Sequence, residues 1–242
     1  MNWLSIAYAA LFYLATAVLV IGLAAKIRSY SRTPAPLKIP TTPAPTTATG
    51  VALRLTREVV FFESLFKASK WTWLFGWVFH AALALVLLRH LRYFQQPVWP
   101  PVVWVQAIGT YAGFALVAGL AGLWARRFLV DRVRYISTPS DHLHLALLLA
   151  IGASGLGLRF VAPTDIVAVK AFMLGLMRLD VQPLPADPLL LLHLALVALL
   201  MLVFPISKLM HAPGLFFSPT RNQADTSREQ RHVAAWAAAL DK

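Results

Sequence analysis

Cysteine is absent from all 242 residues. That removes disulfides, thiolate metal sites and cysteine-ligated iron–sulfur clusters from this chain together. Charge is also scarce: 13% of residues are charged, against about 25% in an ordinary soluble domain. Negative charge is the scarcest, with ten Asp and Glu, and none of them lies inside a long apolar run. A proton pump built on intramembrane carboxylates therefore finds no support. Segments alternating apolar and polar residues, which a membrane barrel needs, are missing as well. There is no internal repeat.

What is present is apolar. Hydrophobic residues make up 59% of the chain and the mean hydropathy is +0.66, which excludes an ordinary soluble domain. A spanning helix needs about 20 apolar residues. Five runs qualify, at 3–25, 71–90, 102–125, 143–159 and 188–210. The expected fold is an all-α membrane protein, a five-helix transmembrane bundle. No basic residue precedes the first run, so it reads as a retained span rather than a signal peptide.

The 22 Lys and Arg give a net charge of +12. In a membrane protein this reads as topology and lipid headgroup contact, not nucleic-acid binding. Residues 26–72, 126–141 and 208–242 carry eight, four and five of them, and the opposite side carries five. The positive-inside rule then places the N-terminus outside and the C-terminus in the cytoplasm. Residues 28–50, with Pro34, Pro36, Pro40, Pro43 and Pro45, read as an extended cytoplasmic linker. Leu53 to Lys70 reads as an amphipathic helix on the inner leaflet. Thr164 to Leu179 reads as a weak helix in the outer loop, and 212–242 as a cytoplasmic tail with a short Ala-rich helix near His232.

Four of the seven histidines belong to the second and fifth runs. An ionisable residue in a spanning helix is costly and marks a functional site by default. The second helix runs outward, so His80 is inner and His90 outer; the fifth runs inward, so His193 is outer and His211 inner. Two cross-helix pairs follow, His80 with His211 and His90 with His193. Facing imidazoles on two helices are what a six-coordinate b-type haem requires. The ten-residue spacing rises about 15 Å and the eighteen-residue spacing about 27 Å, five whole turns. This mismatch leaves a packing role, a proton relay and a metal path open on spacing alone. His142 and His144, at the start of the fourth helix, read as interfacial anchors or as neighbours of a helix cap by Ser140 or Asp141. The glycines of the third and fourth helices suit close helix packing and cofactor room equally.

The His80-x9-His90 and His193-x17-His211 pairs on a five-helix plan resemble the cytochrome b subunit family of respiratory nitrate reductase, its gamma subunits. The segment His-Ala-Pro-Gly-Leu-Phe-Phe-Ser-Pro-Thr-Arg-Asn-Gln from His211 looks closer to the DsrM-type subunits of the sulfite-reduction-associated DsrMKJOP complex. The resemblance covers most of the chain and is weakest in residues 28–50 and the tail. It implies two b haems between helices two and five, an inner one on His80 and His211 and an outer one on His90 and His193. It also implies that the unequal rises are compatible with two haems. It implies (mena)quinol as substrate, a cytoplasmic iron–sulfur partner (DsrK-like, of the heterodisulfide reductase type), and residence in a bacterial cytoplasmic membrane. The chain would be an electron-transfer subunit of dissimilatory sulfur metabolism, not a complete enzyme. The lysine that the nitrate reductase subunits place near the outer haem has no counterpart on helix three. Arg89, Tyr93 and Lys170, with Arg92 and Trp99, are the polar and aromatic residues expected nearest a quinol at the outer face. Residues 126–141 and the segment after His211 are expected to meet the partner. The alternatives are a nitrate reductase-type gamma subunit, a histidine-lined transporter, and an anchor with packing histidines only.

Overall fold

The computed structural model describes residues 2–226 and 240, and among them every regular element is helical. In chain order these are α1 (Trp3–Arg32), α2 (Ala48–Phe61), α3 (Glu63–Ala68), α4 (Lys70–His90), α5 (Pro100–Trp104) and α6 (Gln106–Leu129). There follow α7 (Asp131–Ile136), α8 (Pro139–Phe160), α9 (Ile166–Met177), α10 (Pro188–Val203), α11 (His211–Gly214) and α12 (Pro219–Asn222). Helices α1, α4, α6, α8 and α10 are long and apolar enough to cross a membrane. A helix satisfies all its backbone bonds internally, which is what a segment in hydrocarbon needs. The starts are written locally. Ser69 Oγ accepts from Thr72 N at the head of α4, and Thr138 with Asp141 forms a capping box ahead of Pro139 in α8. Residues 227–239, which include His232 and its expected helix, lie outside the described residues.

Two compact units are separable. The first joins the residues up to Leu19 with Leu65–Val203. In it α4 packs on α6, α6 on α8 and α8 on α10. The glycines set how closely these helices approach. A Cβ on Gly119 would lie 2.9 Å from Phe79 N and 3.0 Å from Phe75 O, on the backbone of α4 itself. The first part of α1 is held by polar contacts. Tyr8 donates its hydroxyl to Leu191 O at 2.9 Å, Tyr13 to Leu176 O at 3.0 Å, and Ser5 Oγ accepts from Leu184 N at 2.9 Å. One apolar cluster joins Ala9, Val169, Phe172, Leu190 and Leu194; another joins Phe79, Ala82, Ala112, Leu116 and Leu120. Leu14, Leu87, Ile108 and Phe114 stay exposed, as lipid-facing positions of spanning helices do.

The second unit joins Val20–Ser64 with the residues from Phe204. Its proline-rich stretch is irregular and is tied to the segment after His211. Thr41 N donates to Thr220 O (3.0 Å), Asp225 N to Pro45 O (2.8 Å), and Gln223 bonds both Ile39 N (2.9 Å) and Leu37 O (3.0 Å). Helix α2 packs on α12. Its Arg54 is buried and donates to Thr41 O at 2.9 Å, and its Glu58 pairs with Arg221 at 3.3 Å.

Two boundaries differ from the sequence expectation. The amphipathic run is broken at Phe62, whose φ of 51° ends α2 in the left-handed region before α3 begins. The fifth span does not continue as one α-helix to residue 210. Buried Pro205 has no N–H and its ring obstructs the preceding turn, so α10 ends at Val203 and 3₁₀ turns follow at Phe204–Ile206 and Lys208–Met210. The five-turn register from His193 to His211 does not apply.

Gly119→Ala is expected to destabilise the chain by about 1–3 kcal/mol, because the new methyl meets backbone. Gly113→Ala should cost less, because its Cβ meets the Leu156 Cδ2 methyl at 2.8 Å, which can turn away. Denaturant titration of the two variants in detergent checks the order; equal losses would refute it.

Candidate functional site

An imidazole offers one N–H and one lone pair in its neutral form. A backbone carbonyl can only accept, so its partner nitrogen must carry the proton. His90 Nδ1 donates to Val86 O at 2.6 Å and His80 Nδ1 to Gly76 O at 2.7 Å, each one turn back along α4. Both rings therefore carry their lone pair on Nε2. His193 on α10 reaches the same state by another route. Its Nδ1 lies 2.9 Å from Ser154 Oγ of α8, and that hydroxyl donates to Ile151 O at 3.1 Å. The serine proton is thus engaged, and the serine oxygen accepts from His193. A Cβ at residue 155 would stand 3.3 Å from the His193 Cε1, so Gly155 leaves room for the ring beside α8.

The first unit brings His90 and His193 together. Tyr93 lies 5.9 Å from the His90 ring and packs against the cluster containing Leu190 and Leu194, which flank His193. His80 stands ten residues earlier on α4, with its ring 4.7 Å from Phe79. His211 belongs to the second unit. It donates from Nδ1 to Lys208 O at 3.1 Å and lines a cavity of about 430 Å³ with Tyr30, Ser207, Lys208, Met210 and Phe217.

Two partly buried neutral imidazoles from α4 and α10, each with Nδ1–H engaged and Nε2 carrying the lone pair, match the donor set for axial ligation of a haem iron. The i−4 bond alone does not single out a ligand, since His144 Nδ1 makes it to Ser140 O as well. His142 has the opposite arrangement, its Nδ1 accepting from Trp124 Nε1 at 3.0 Å, and so it links α8 to α6. Among the described residues no three His, Asp or Glu side chains gather as a metal cage.

Polar groups gather beyond His90. Arg92 donates to Gln106 Oε1 at 3.1 Å, and its guanidinium lies 5.6 Å from the Tyr93 ring centre. Gln106 donates to Val102 O at 2.7 Å. Lys170, on α9, donates to Gln96 Oε1 at 2.6 Å, and α9 packs against the 3₁₀ turn Leu91–Tyr93. Arg89 lies instead against α6 at Gly109. Trp99 is exposed at the head of α5. In the other basic cluster, Arg127 is 3.6 Å from Asp141 and Arg134 is 2.7 Å from Asp131, while Arg132 is exposed. Sequence reasoning missed Ser154, Gln106, Gln96 and Trp124. Ser154 had a visible signal, a single hydroxyl in the apolar stretch after His144.

Residues 64–222 match the nitrate reductase gamma subunit family. The Hdr-like menaquinol oxidoreductase cytochrome b-like subunit of Archaeoglobus fulgidus is 37% identical over 269 residues, spanning 93% of this chain and 81% of the relative. The protein of the same description from Archaeoglobus profundus is 32% identical over 277 residues, spanning 94% and 81%.

Ser154→Ala is expected to remove the hydroxyl that holds His193 Nδ1, at a cost of about 1 kcal/mol. The side-chain ¹⁵N shifts of His193 should then report a mixture of tautomers, where the parent shows the lone pair on Nε2. An unchanged tautomer would show that Ser154 does not set it.

Proposed function

The chain belongs to the nitrate reductase gamma subunit family, and from that premise we propose that it is a dihaem cytochrome b subunit which draws electrons from menaquinol. The observation that carries the reading is that His90 and His193 belong to one unit and are linked through Tyr93 and the apolar residues beside His193, each with its Nδ1 hydrogen-bonded. The printed descriptions of the two Archaeoglobus relatives support the same assignment. His80 and His211 are proposed as ligands of a second haem, each with its Nδ1 on a backbone carbonyl. When bound, haem supplies a one-electron carrier buried in the bilayer. The chain's own residues hold the ligand rings in one tautomer, pack apolar side chains around the rings and exclude water.

Quinol is proposed to bind beside the His90–His193 pair, on the outer side. Tyr93 and Lys170 offer a hydroxyl and an ammonium there, the latter steadied by Gln96. Quinol loses two electrons and two protons. The protons leave at the exposed surface around Gln96, and the electrons leave inward to an iron–sulfur partner. No cysteine of this chain can hold such a cluster, so that step belongs to another polypeptide. A DsrK-like, heterodisulfide reductase-type subunit in dissimilatory sulfur metabolism is the proposed acceptor, on the resemblance of the segment after His211. Residues 126–141, with exposed Arg132, are the proposed contact.

A reduced-minus-oxidised spectrum with haem quantification should give two b haems per chain. His90→Ala and His193→Ala should each remove one and leave the other; either variant retaining both would sink the pairing. Tyr93→Phe and Lys170→Ala should slow haem reduction by a menaquinol analogue about tenfold or more while keeping both haems, the scale of one lost hydrogen bond to a charged group. Reduction at the parent rate in both would move the quinol site elsewhere.

Orientation has an equally direct test. Because the chain lacks cysteine, single cysteines report cleanly. Val161→Cys should react with an impermeant maleimide from outside the cell, and Tyr135→Cys only after permeabilisation; both positions are exposed. The reverse pattern would invert the topology.

A further inference from the structure

Helix α2 is inside out for a helix in water. At about 100° per residue, Val51, Arg54 and Glu58 share one face, and that face is turned inward. Val51 and Arg54 are buried, and Arg54 donates to Thr41 O at 2.9 Å. Glu58 pairs with Arg221 at 3.3 Å and accepts from Ser64 N at 3.2 Å. The opposite arc carries Ala52, Leu53, Thr56, Val59 and Val60, with Phe61 at its edge, and all six are exposed. Leu53 is 59% exposed, Val59 44% and Phe61 58%. Two charges thus lie inside the unit while the apolar side chains stand outside. Water gains nothing from such an arc, whereas acyl chains cover it.

Connectivity puts lipid within reach. The second unit starts inside the first span, at Val20, and resumes inside the fifth, at Phe204, so the bilayer holds it at both segments. C-terminal to α2, the head of α4 carries the marks of the headgroup level. Trp71 is 73% exposed, Trp73 stacks on Trp77 and meets Phe66 edge-on, and Lys70 Nζ lies 3.8 Å from the Phe66 ring centre. Aromatic rings and lysines gather at that depth. Phe61 precedes Phe66 by five residues, at most about 18 Å of chain. Phe62 in the left-handed region and the Ser69 cap both interrupt the path, so α2 is a separate helix and not the start of the span. Arg57 flanks the exposed arc, where its stem can lie on acyl chains with the guanidinium among phosphates. We propose that the exposed arc of α2 lies in the boundary between headgroups and acyl chains of the leaflet at which α4 begins, and so fixes the second unit to the bilayer surface. The occupant of this face is lipid, and the proposal is independent of haem and quinol.

The test uses the full chain in nanodiscs of phosphatidylcholine and phosphatidylglycerol. The chain has no cysteine, so Leu53→Cys and Val59→Cys each carry one environment-sensitive maleimide dye, on side chains whose exposure leaves the buried face of α2 untouched. Each dye should be quenched by lipid bearing a nitroxide on its acyl chain. Each should also be protected from aqueous iodide at least about threefold relative to the free dye, as for a group a few ångströms below the headgroups. Leu53→Asp, which sets a charge in the arc, should weaken the acyl-nitroxide quenching of the Val59 dye. Far-ultraviolet circular dichroism establishes that each variant is folded, and Thr56→Asp, on the same exposed arc, takes the place of Leu53→Asp if that variant does not fold. Dyes that iodide quenches as it does the free dye overturn the proposal, because the arc then faces water. Dyes protected from iodide yet untouched by the nitroxide lipid overturn it in favour of a covering protein surface. Acyl-nitroxide quenching at Val59 that is unchanged by the aspartate shows that the apolar arc is not what anchors α2, and overturns it as well.

Discussion

Where an imidazole proton is held decides what the ring can do, and hydrocarbon leaves few places to hold it. Water does not reach a mid-span ring reliably, so Nδ1–H needs an acceptor supplied by protein. For His80 and His90 that acceptor is a carbonyl one turn away on α4, which comes with any helix. For His193 it is the Ser154 oxygen on a neighbouring helix, which exists only if α8 and α10 pack in this register. The state of the α10 ligand candidate therefore depends on tertiary structure, and that of the α4 candidates on local structure alone. Gly155, next to the serine, makes the approach feasible.

The same dependence runs through the rest of the first unit. Hydrocarbon gives apolar helices no reason to leave lipid for each other, so contact quality must hold them. Gly119 brings α6 onto the backbone of α4, Gly152 receives Val117 and Leu116, and Gly113 receives Leu156. Hydroxyls finish the assembly where α1 meets the carbonyls of residues 176 and 191. Small residues set the distances and polar ones set the rotation. The outcome places the His90 ring, Tyr93 and the residues flanking His193 in one region.

Much of this was legible in the sequence, for physical reasons that differ by feature. The five long helices could be read because a run of apolar residues is itself what the bilayer selects. The glycines of helices three and four could be read as packing residues, and most of them are. The end of α10 could be suspected at Pro205, but whether a proline bends or stops a helix depends on what surrounds it, here Gly22 against its ring. Burial of Arg54 could not be read, because its acceptor, the Thr41 carbonyl, lies in a segment with no pattern of its own. Ser154 and Gln106 were missed because one polar residue in an apolar run says nothing about which neighbour it will meet. The side of α4 that Arg89 takes, against Gly109, was not legible, since position along a helix is visible in sequence while its neighbours are not.

The hydrogen bonds between residues 37–45 and residues 220–225 also order events in time. The proline-rich strip leaves the ribosome soon after α1, but its partners are made only after the last spanning helix. Until then its backbone groups are paired with water. Closure of the second unit is therefore a late step of biogenesis that spans nearly the whole chain, with the loop-closure entropy that such separation carries. A surface assembled from both segments becomes available only on a chain whose last spanning helix has been made, so a partner that binds there distinguishes finished chains from nascent ones.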